Sequence, residues 1–242
     1  LRNLVELSFF ISIFVTPKIL VFDVRNIHKR GDVVCYAAKN TKMKKLLILT
    51  IFLMIVSCNG QEKEAKDLVK KANDFFMKSN QDENVKIDSC LVLVDKAIEI
   101  DESYFNAYYT KSKFLTWKKD IKESIKNNAK MIELRPRQPL WKIQRGLFFD
   151  IDGNKTEAEK NYKIGLSEYE NLLKTELKND FNFRMEYLSA LETKGELKKA
   201  EIELKNISRD FPDNEILKVY KTEYKFKTKA ELIALWHNGT DN

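Results

Sequence analysis

The residues of this chain that could carry out chemistry are few, and they are spread along the sequence rather than clustered. The chain has three cysteines, Cys35, Cys58 and Cys90, and two histidines, of which only His237 follows residue 58. A single histidine beyond that point excludes a histidine dyad or a His-rich zinc site there. The many carboxylates alternate with lysines at helical spacing, which is typical of solvated helix faces. We therefore predict that the protein is not an enzyme and needs neither a cofactor nor a metal.

One short acidic segment, Asp150-Ile151-Asp152-Gly153-Asn154, partly resembles a calcium-binding loop. It lacks the D-x-D-x-D-G spacing and a downstream bidentate glutamate at the required offset. It also falls where a turn between two helices is expected, so we interpret it as a turn.

Cys58 follows a pattern that has its own chemistry. Lys44 and Lys45 precede an eleven-residue apolar run, 46–56, which suits a secretory signal and is short for a membrane span. The run ends in Ile-Val-Ser-Cys, which resembles the lipobox of bacterial lipoproteins. The resemblance implies cleavage before Cys58, a diacylglycerol on its sulfur and usually an acyl chain on the new amino group. Two or three chains anchor a protein firmly, whereas one does not.

These features divide the chain into segments. We interpret 43–57 as the signal peptide, 58–64 as the lipidated cysteine with a polar tether, and 65–242 as the folded domain. Residues 1–42 precede a complete signal peptide, so we interpret them as an over-extension of the reading frame. The alternative is a genuine N-terminal membrane segment. Cys90 has no pairing partner in this scheme and is expected to pack in the core.

The formal charge of +7 is unevenly distributed. Residues 1–57 carry nine Lys and Arg against three Asp and Glu, which leaves a net charge of +1 for residues 58–242. Charge therefore gives no reason to expect a nucleic-acid partner.

The folded part of the sequence repeats with a period of 34 residues. The positions that hold this period are Glu102, Pro136 and Glu170; Ala97, Met131 and Gly165; Ser112 and Gly146; Phe114 and Phe148; and Ser124 and Ala158. A 34-residue period without strand signals indicates helix–turn–helix repeats. The segments 97–102 and 131–136 resemble the helix-ending signature of the tetratricopeptide repeat (TPR) family. The resemblance implies an all-α, right-handed superhelical array of antiparallel helix pairs.

Small residues in this family lie where helix backbones approach closely. Gly146, Ala158 and Gly165 occupy such positions, whereas Met131 departs from the pattern. Large residues are expected to fill the spaces between helices: Tyr109, Leu115, Trp141, Phe149 and Tyr162.

We predict about four repeats and a capping helix. The predicted helices are 65–78, 85–100, 104–117, 121–134, 139–151, 157–178, 181–194 and 196–210, then a cap from about 215 after Asp213, and a short helix at 229–236. Gly153 and Gly195 stand 42 residues apart, eight more than the period. Eight residues are about two helical turns, which predicts an overlong helix at 157–178.

The family resemblance also implies a binding surface, because the first helices of successive repeats line a concave groove. By register, the groove residues are Asn106, Tyr109, Lys113, Trp117, Leu140, Ile143, Leu147 and Asp150. The same register adds Thr116, Ile151, Asn182, Met185, Ser189 and Glu192. Tyr109 and Ile143 occupy two positions where a carboxylate-binding subgroup has Lys and Asn, so that binding mode is not expected. The alternative is that the apolar members of this set only pack between helices.

Together these features predict a lipid-anchored scaffold of a bacterial envelope, monomeric, that binds a protein or peptide in the groove. Asn59 after the lipidated cysteine favours the outer membrane, by analogy with enterobacterial sorting. A second hypothesis is an assembly factor for outer-membrane β-barrels or for a pilus secretin. An enzyme is the alternative of another class.

Overall fold

The computed structural model describes the backbone of residues 41–238 and the side chains of residues 60–238. This part of the chain is all-α, with ten α-helices, one short 3-10 helix and no strands. The α-helices are α1 (Thr41–Lys78), α2 (Glu83–Ile100), α3 (Phe105–Lys118), α4 (Ile121–Leu134), α5 (Leu140–Ile151), α6 (Lys155–Leu172), α7 (Phe181–Lys194), α8 (Leu197–Asp210), α9 (Glu215–Glu223) and α10 (Lys229–Asn238). The 3-10 helix, Glu176–Asn179, precedes α7. The predicted fold class is therefore confirmed.

Short polar residues start many of these helices. The side chains of Asp82, Asp120, Asn154, Asp180 and Asn214 each accept a hydrogen bond from a backbone N–H in the first turn that follows. These bonds satisfy donors that have no partner within the helix.

The helices pack in consecutive pairs, α1 with α2, α3 with α4, α5 with α6 and α7 with α8. The first helices also meet, since α1 contacts α3 and α5 contacts α7. In the described part of the chain, buried side chains form five successive clusters along this array. A succession of small cores is what stacked helix pairs produce.

Gly146 and Gly165 lie at close helix contacts, as predicted. A Cβ on Gly146 would lie 2.6 Å from the ring of Tyr162, and one on Gly165 would lie 2.8 Å from Cδ1 of Ile143. Met131, which departs from the small-residue pattern, is fully buried instead.

The structure differs from the sequence predictions in three places near helix ends. The helix predicted at 157–178 ends at Leu172, because Thr175 accepts from the Leu177 N–H and donates to the Leu172 carbonyl, and so ends the helical pattern. Asn214 rather than Asp213 caps α9. The residues of the predicted tether, 58–64, are helical and belong to α1, and the last four of them, Gln61-Glu62-Lys63-Glu64, are good helix formers.

In the range 41–238, no helix combines the length and apolarity that a membrane span requires. The expectations for residues 1–40 lie outside the described residues. The same holds for the side chain of Cys58, which lies within α1.

The C-terminal helix returns along the array. After α9 the backbone is non-helical from Tyr224 to Thr228, and α10 then packs against α5 and α7. The sequence predicted this helix but not its position.

Candidate functional site

Four of the predicted groove residues form one open stripe on α3. Asn106, Tyr109, Lys113 and Trp117 follow one another at spacings of three, four and four residues, which places them on one helix face. Asn106 is exposed, Tyr109 and Lys113 are half-buried, and 39% of Trp117 is exposed. We call these four residues the α3 stripe.

The aromatic rings of the α3 stripe are held by neighbouring rings. Trp117 stacks on Phe76 of α1, with 4.6 Å between the ring centroids and 12° between the planes. Tyr109 lies against Phe105 of its own helix and Trp141 of α5, at 6.4 and 6.0 Å. Both rings are therefore positioned before any partner arrives.

Among the described residues, the Lys113 ammonium has no carboxylate partner and the Tyr109 hydroxyl has no hydrogen-bond partner. The Lys113 ammonium lies 5.4 Å from the centroid of the Tyr109 ring, and no carboxylate of the described residues pairs with it. Burial lowers the pKa of Lys113 and raises the pKa of Tyr109 well above its usual range. The Tyr109 hydroxyl is buried and has no hydrogen-bond partner among the described residues. The stripe thus offers a cation beside two aromatic surfaces.

Leu140 and Ile143 lie inside the packed core and do not contribute to an open surface. Leu140 belongs to a cluster with Trp141, and Ile143 packs against the backbone and side chains near Gly165. For these two residues the alternative interpretation, packing between helices, describes what the structure shows.

Leu147 and Asp150 contact a helix, but it is α10 of the same chain. Leu147 and Phe148 form one buried cluster with Trp236, whose ring centroid lies 5.8 Å from that of Phe148. The Asp150 carboxylate pairs with the ammonium of Lys229 at 2.8 Å and with that of Lys155 at 3.2 Å. Asp150, a residue of the predicted groove, is therefore buried against α10 and paired with its first residue.

The electrostatics of Asp150 agree with this pairing. Burial disfavours its charged form, but Lys229, then the Tyr162 hydroxyl and Lys155, outweigh burial, so the pKa of Asp150 lies below its ordinary value. Two lysines, Lys155 of α6 and Lys229 of α10, therefore neutralise the Asp150 carboxylate near the end of α5. The segment that follows α5 is a turn with Gly153 at φ 84°.

Glu192, another residue of the predicted groove, also binds the C-terminal segment. It is fully buried and accepts hydrogen bonds from the Tyr224 hydroxyl and from the backbone N–H of Lys227, both at 2.7 Å. Burial raises the pKa of Glu192, although the Lys227 N–H and the Tyr224 hydroxyl act in the opposite direction. The carboxyl thus holds the start of the segment that leads to α10.

The remaining groove predictions are scattered. Asn182 is exposed, Thr116, Ile151 and Met185 are half-buried, and Ser189 is buried. They do not extend the α3 stripe into a continuous surface.

The sequence did not predict the role of Lys119, which lies between the end of α3 and the end of α10. Lys119 ends α3 in the left-handed conformation at φ 57°, and its ammonium donates to the His237 carbonyl at the end of α10. A non-glycine residue in this conformation costs roughly 1–2 kcal/mol. Lys119 stands 34 residues before Gly153, which has the same role in α5, so the period itself would have pointed to it.

Cys90 packs in the core, as predicted. It is fully buried, its thiol donates to the Ala72 carbonyl at 3.2 Å, and burial raises its pKa. A buried thiol with a raised pKa is a poor nucleophile.

No protein-family model matches this chain, and no curated protein is significantly similar to it. The resemblance to tetratricopeptide repeats and to bacterial lipoproteins thus rests on the residues quoted above.

Proposed function

We propose that this protein is a lipid-anchored scaffold of a bacterial envelope that binds a protein or peptide partner on the α3 stripe. Three features support the proposal. The chain stacks helix pairs in the manner of a repeat protein, Cys58 ends a lipoprotein-like signal, and α3 presents pre-positioned aromatic residues to solvent.

The α3 stripe is the observation on which the binding function rests. Aromatic residues supply much of the energy of protein interfaces, because they bury a large area and lose little conformational entropy. Trp117 and Tyr109 are already fixed by Phe76 and Trp141, so binding would order few side chains.

Lys113 adds polarity to this surface. Because no carboxylate of the described residues pairs with it, its charge can interact with an acceptor of the partner. Such a contact would set the orientation of the partner more than its affinity.

The test uses the full chain as bait in detergent-solubilised envelope, with quantitative mass spectrometry of the captured proteins. Tyr109→Ala with Trp117→Ala should reduce capture of the specific partner by at least tenfold and leave the helical circular dichroism signal intact. The matched control is Ile202→Ala with Ile216→Ala, which removes two exposed apolar side chains on α8 and α9 and should not reduce capture.

The identity of the captured protein separates the two binding hypotheses. A subunit of a barrel-assembly or secretin machine would favour the assembly factor, and any other partner would favour a different scaffold role. Capture that survives the stripe variant but is lost on changing Ile164, exposed on α6, would contradict the proposed surface.

A further inference from the structure

The C-terminal helix α10 occupies an edge of the array that lies away from its covalent neighbour. It packs against α5 and α7 and makes no comparable contact with α8 or α9 among the described helices. The non-helical residues 224–228 allow this return. Helix α10 thus behaves as a segment bound to a surface rather than as one more layer of the stack.

Three contacts along α10 have the spacing of an amphipathic helix in a groove. Lys229 pairs with Asp150, and Leu232 and Trp236 are buried, with 3% and 4% of their surface exposed. These residues stand at positions i, i+3 and i+7, which is the usual spacing of anchor residues in helix-in-groove recognition. At the far end, Lys119 donates to the His237 carbonyl.

Helix α10 is short and buries few side chains. A helix of ten residues is marginal alone in water, and α10 buries only two side chains. In its first turn Glu231 is favourable toward the helix dipole but Lys229 is not, so the role of Lys229 is its ion pair with Asp150 rather than stabilisation of the helix. Local opening of such an element requires less free energy than global unfolding.

Opening of α10 would expose side chains that are now buried beneath it. The Asp150 side chain is 2% exposed, and Leu147 and Phe148 are at most 1% exposed. Without α10, a carboxylate would lie beside an apolar pocket that Trp236 now fills. An apolar pocket next to a fixed charge is a specific site for a ligand of complementary shape and charge.

We propose that this edge is a recognition site for an amphipathic helix of a partner protein, and that α10 closes it in cis. The helix it fits carries Lys or Arg in its first turn, an apolar residue three positions later and a tryptophan seven positions later. This site is separate from the α3 stripe, and its occupation by a partner would release α10.

The experiment measures binding of a labelled peptide to the full-length protein by fluorescence anisotropy. The probe is a synthetic peptide with the sequence of residues 227–238, which retains the Thr228–Glu231 capping contacts. In the wild-type protein α10 competes at an effective concentration in the millimolar range. Trp236→Ala and Lys229→Glu should each open the site and increase peptide affinity at least tenfold.

Two controls make the result specific. Lys198→Glu, a charge reversal at an exposed position on α8, should leave peptide affinity at the wild-type level. Adding Asp150→Asn to the Trp236→Ala protein should reduce peptide affinity at least tenfold, because the peptide lysine loses its carboxylate.

The proposal is wrong if both opened variants keep normal helical content but bind the peptide no better than wild type. Hydrogen exchange in 229–238 as slow as in α5 would also overturn it, since α10 would not open. Concentration-dependent dimers of the wild-type protein, seen by light scattering, would overturn the partner helix in favour of a second copy of this chain.

Discussion

Gly146 shows how one residue type sets the distance between two helices. A Cβ at this position would lie 2.6 Å from the ring of Tyr162, which is fully buried. Gly60 is the opposite case, because it lies in α1 and no atom of the described side chains lies within 4 Å of the Cβ that a side chain would add. Substitutions at the two glycines therefore distinguish the effect of packing from the effect of helix propensity.

We expect Gly146→Leu to lower the free energy of unfolding, since overpacking of this kind typically costs about 1–3 kcal/mol. Gly60→Leu should be neutral or stabilise slightly, because glycine inside a helix costs roughly 0.5–1 kcal/mol. Urea denaturation followed by circular dichroism measures both. Equal effects of the two substitutions would mean that Gly146 does not lie at a helix crossing.

Glu186 of α7 is a partly buried carboxyl whose charge opposes folding. Burial raises its pKa from 4.5 to about 7, while the Tyr169 hydroxyl, which donates to it at 3.3 Å, acts in the opposite direction. The native state therefore binds a proton more readily than the unfolded state. Between pH 4.5 and about 7, the free energy of unfolding contributed by this group falls as pH rises.

Glu186→Gln should remove this dependence while keeping an acceptor for Tyr169. One pKa unit corresponds to about 1.4 kcal/mol, so the variant should gain at most roughly 3 kcal/mol over wild type between pH 5 and pH 8. Partial solvent exposure reduces that figure to about 1–2 kcal/mol. Urea denaturation at both pH values measures the gain, with Glu201→Gln on the exposed face of α8 as the control for loss of one charge. A gain at pH 5 equal to that at pH 8 would contradict the assignment.

At the scale of the helix, boundaries were predictable where a short polar residue caps the first turn. The bounds of α4 and α7 were predicted correctly, and Asp120 and Asp180 precede them. The end of α6 was not, because no glycine or proline marks it and the local bonds of Thr175 are visible only in three dimensions. For α9, Asp213 and Asn214 are both good caps, and the sequence alone does not choose between them.

The two candidates for the α9 cap give a matched pair of variants. Asn214 accepts from the Leu217 N–H at 3.1 Å, so Asn214→Ala should cost about 0.5–2 kcal/mol. Asp213→Ala should change the free energy of unfolding by less than about 0.5 kcal/mol, as surface substitutions usually do. Thermal denaturation of both variants checks this order, and the reverse order would restore the cap that the sequence suggested.

At the scale of the molecule, the period predicted the stack but not the return of α10. The α3 stripe could be placed from register because its residues share one helix face. Leu147 and Asp150 could not, since their surroundings depend on a contact with residues 79 or more positions later, outside any 34-residue repeat. Long-range returns of this kind leave no periodic signal in a single sequence.

The proposed attachment of the molecule to a membrane depends on Cys58, and it gives the last prediction. The mature protein would be nearly neutral, with 34 basic and 33 acidic residues, so charge alone would not bind it to an anionic surface. Lipid chains on Cys58 would then provide the attachment, since two or more acyl chains anchor a protein firmly. Intact-mass analysis of envelope-extracted protein should show an N-terminus at Cys58 that bears diacylglycerol.

Cys58→Ser should release the protein into the soluble fraction or leave it unprocessed, because serine cannot form the thioether. Cys90→Ser is the matched control, since it removes the buried thiol of the folded domain and should leave the protein in the membrane fraction with the same N-terminus. Fractionation, immunoblotting and mass analysis report both outcomes. An unmodified N-terminus upstream of Met43 in the extracted protein would contradict both the anchor and the proposed start of translation.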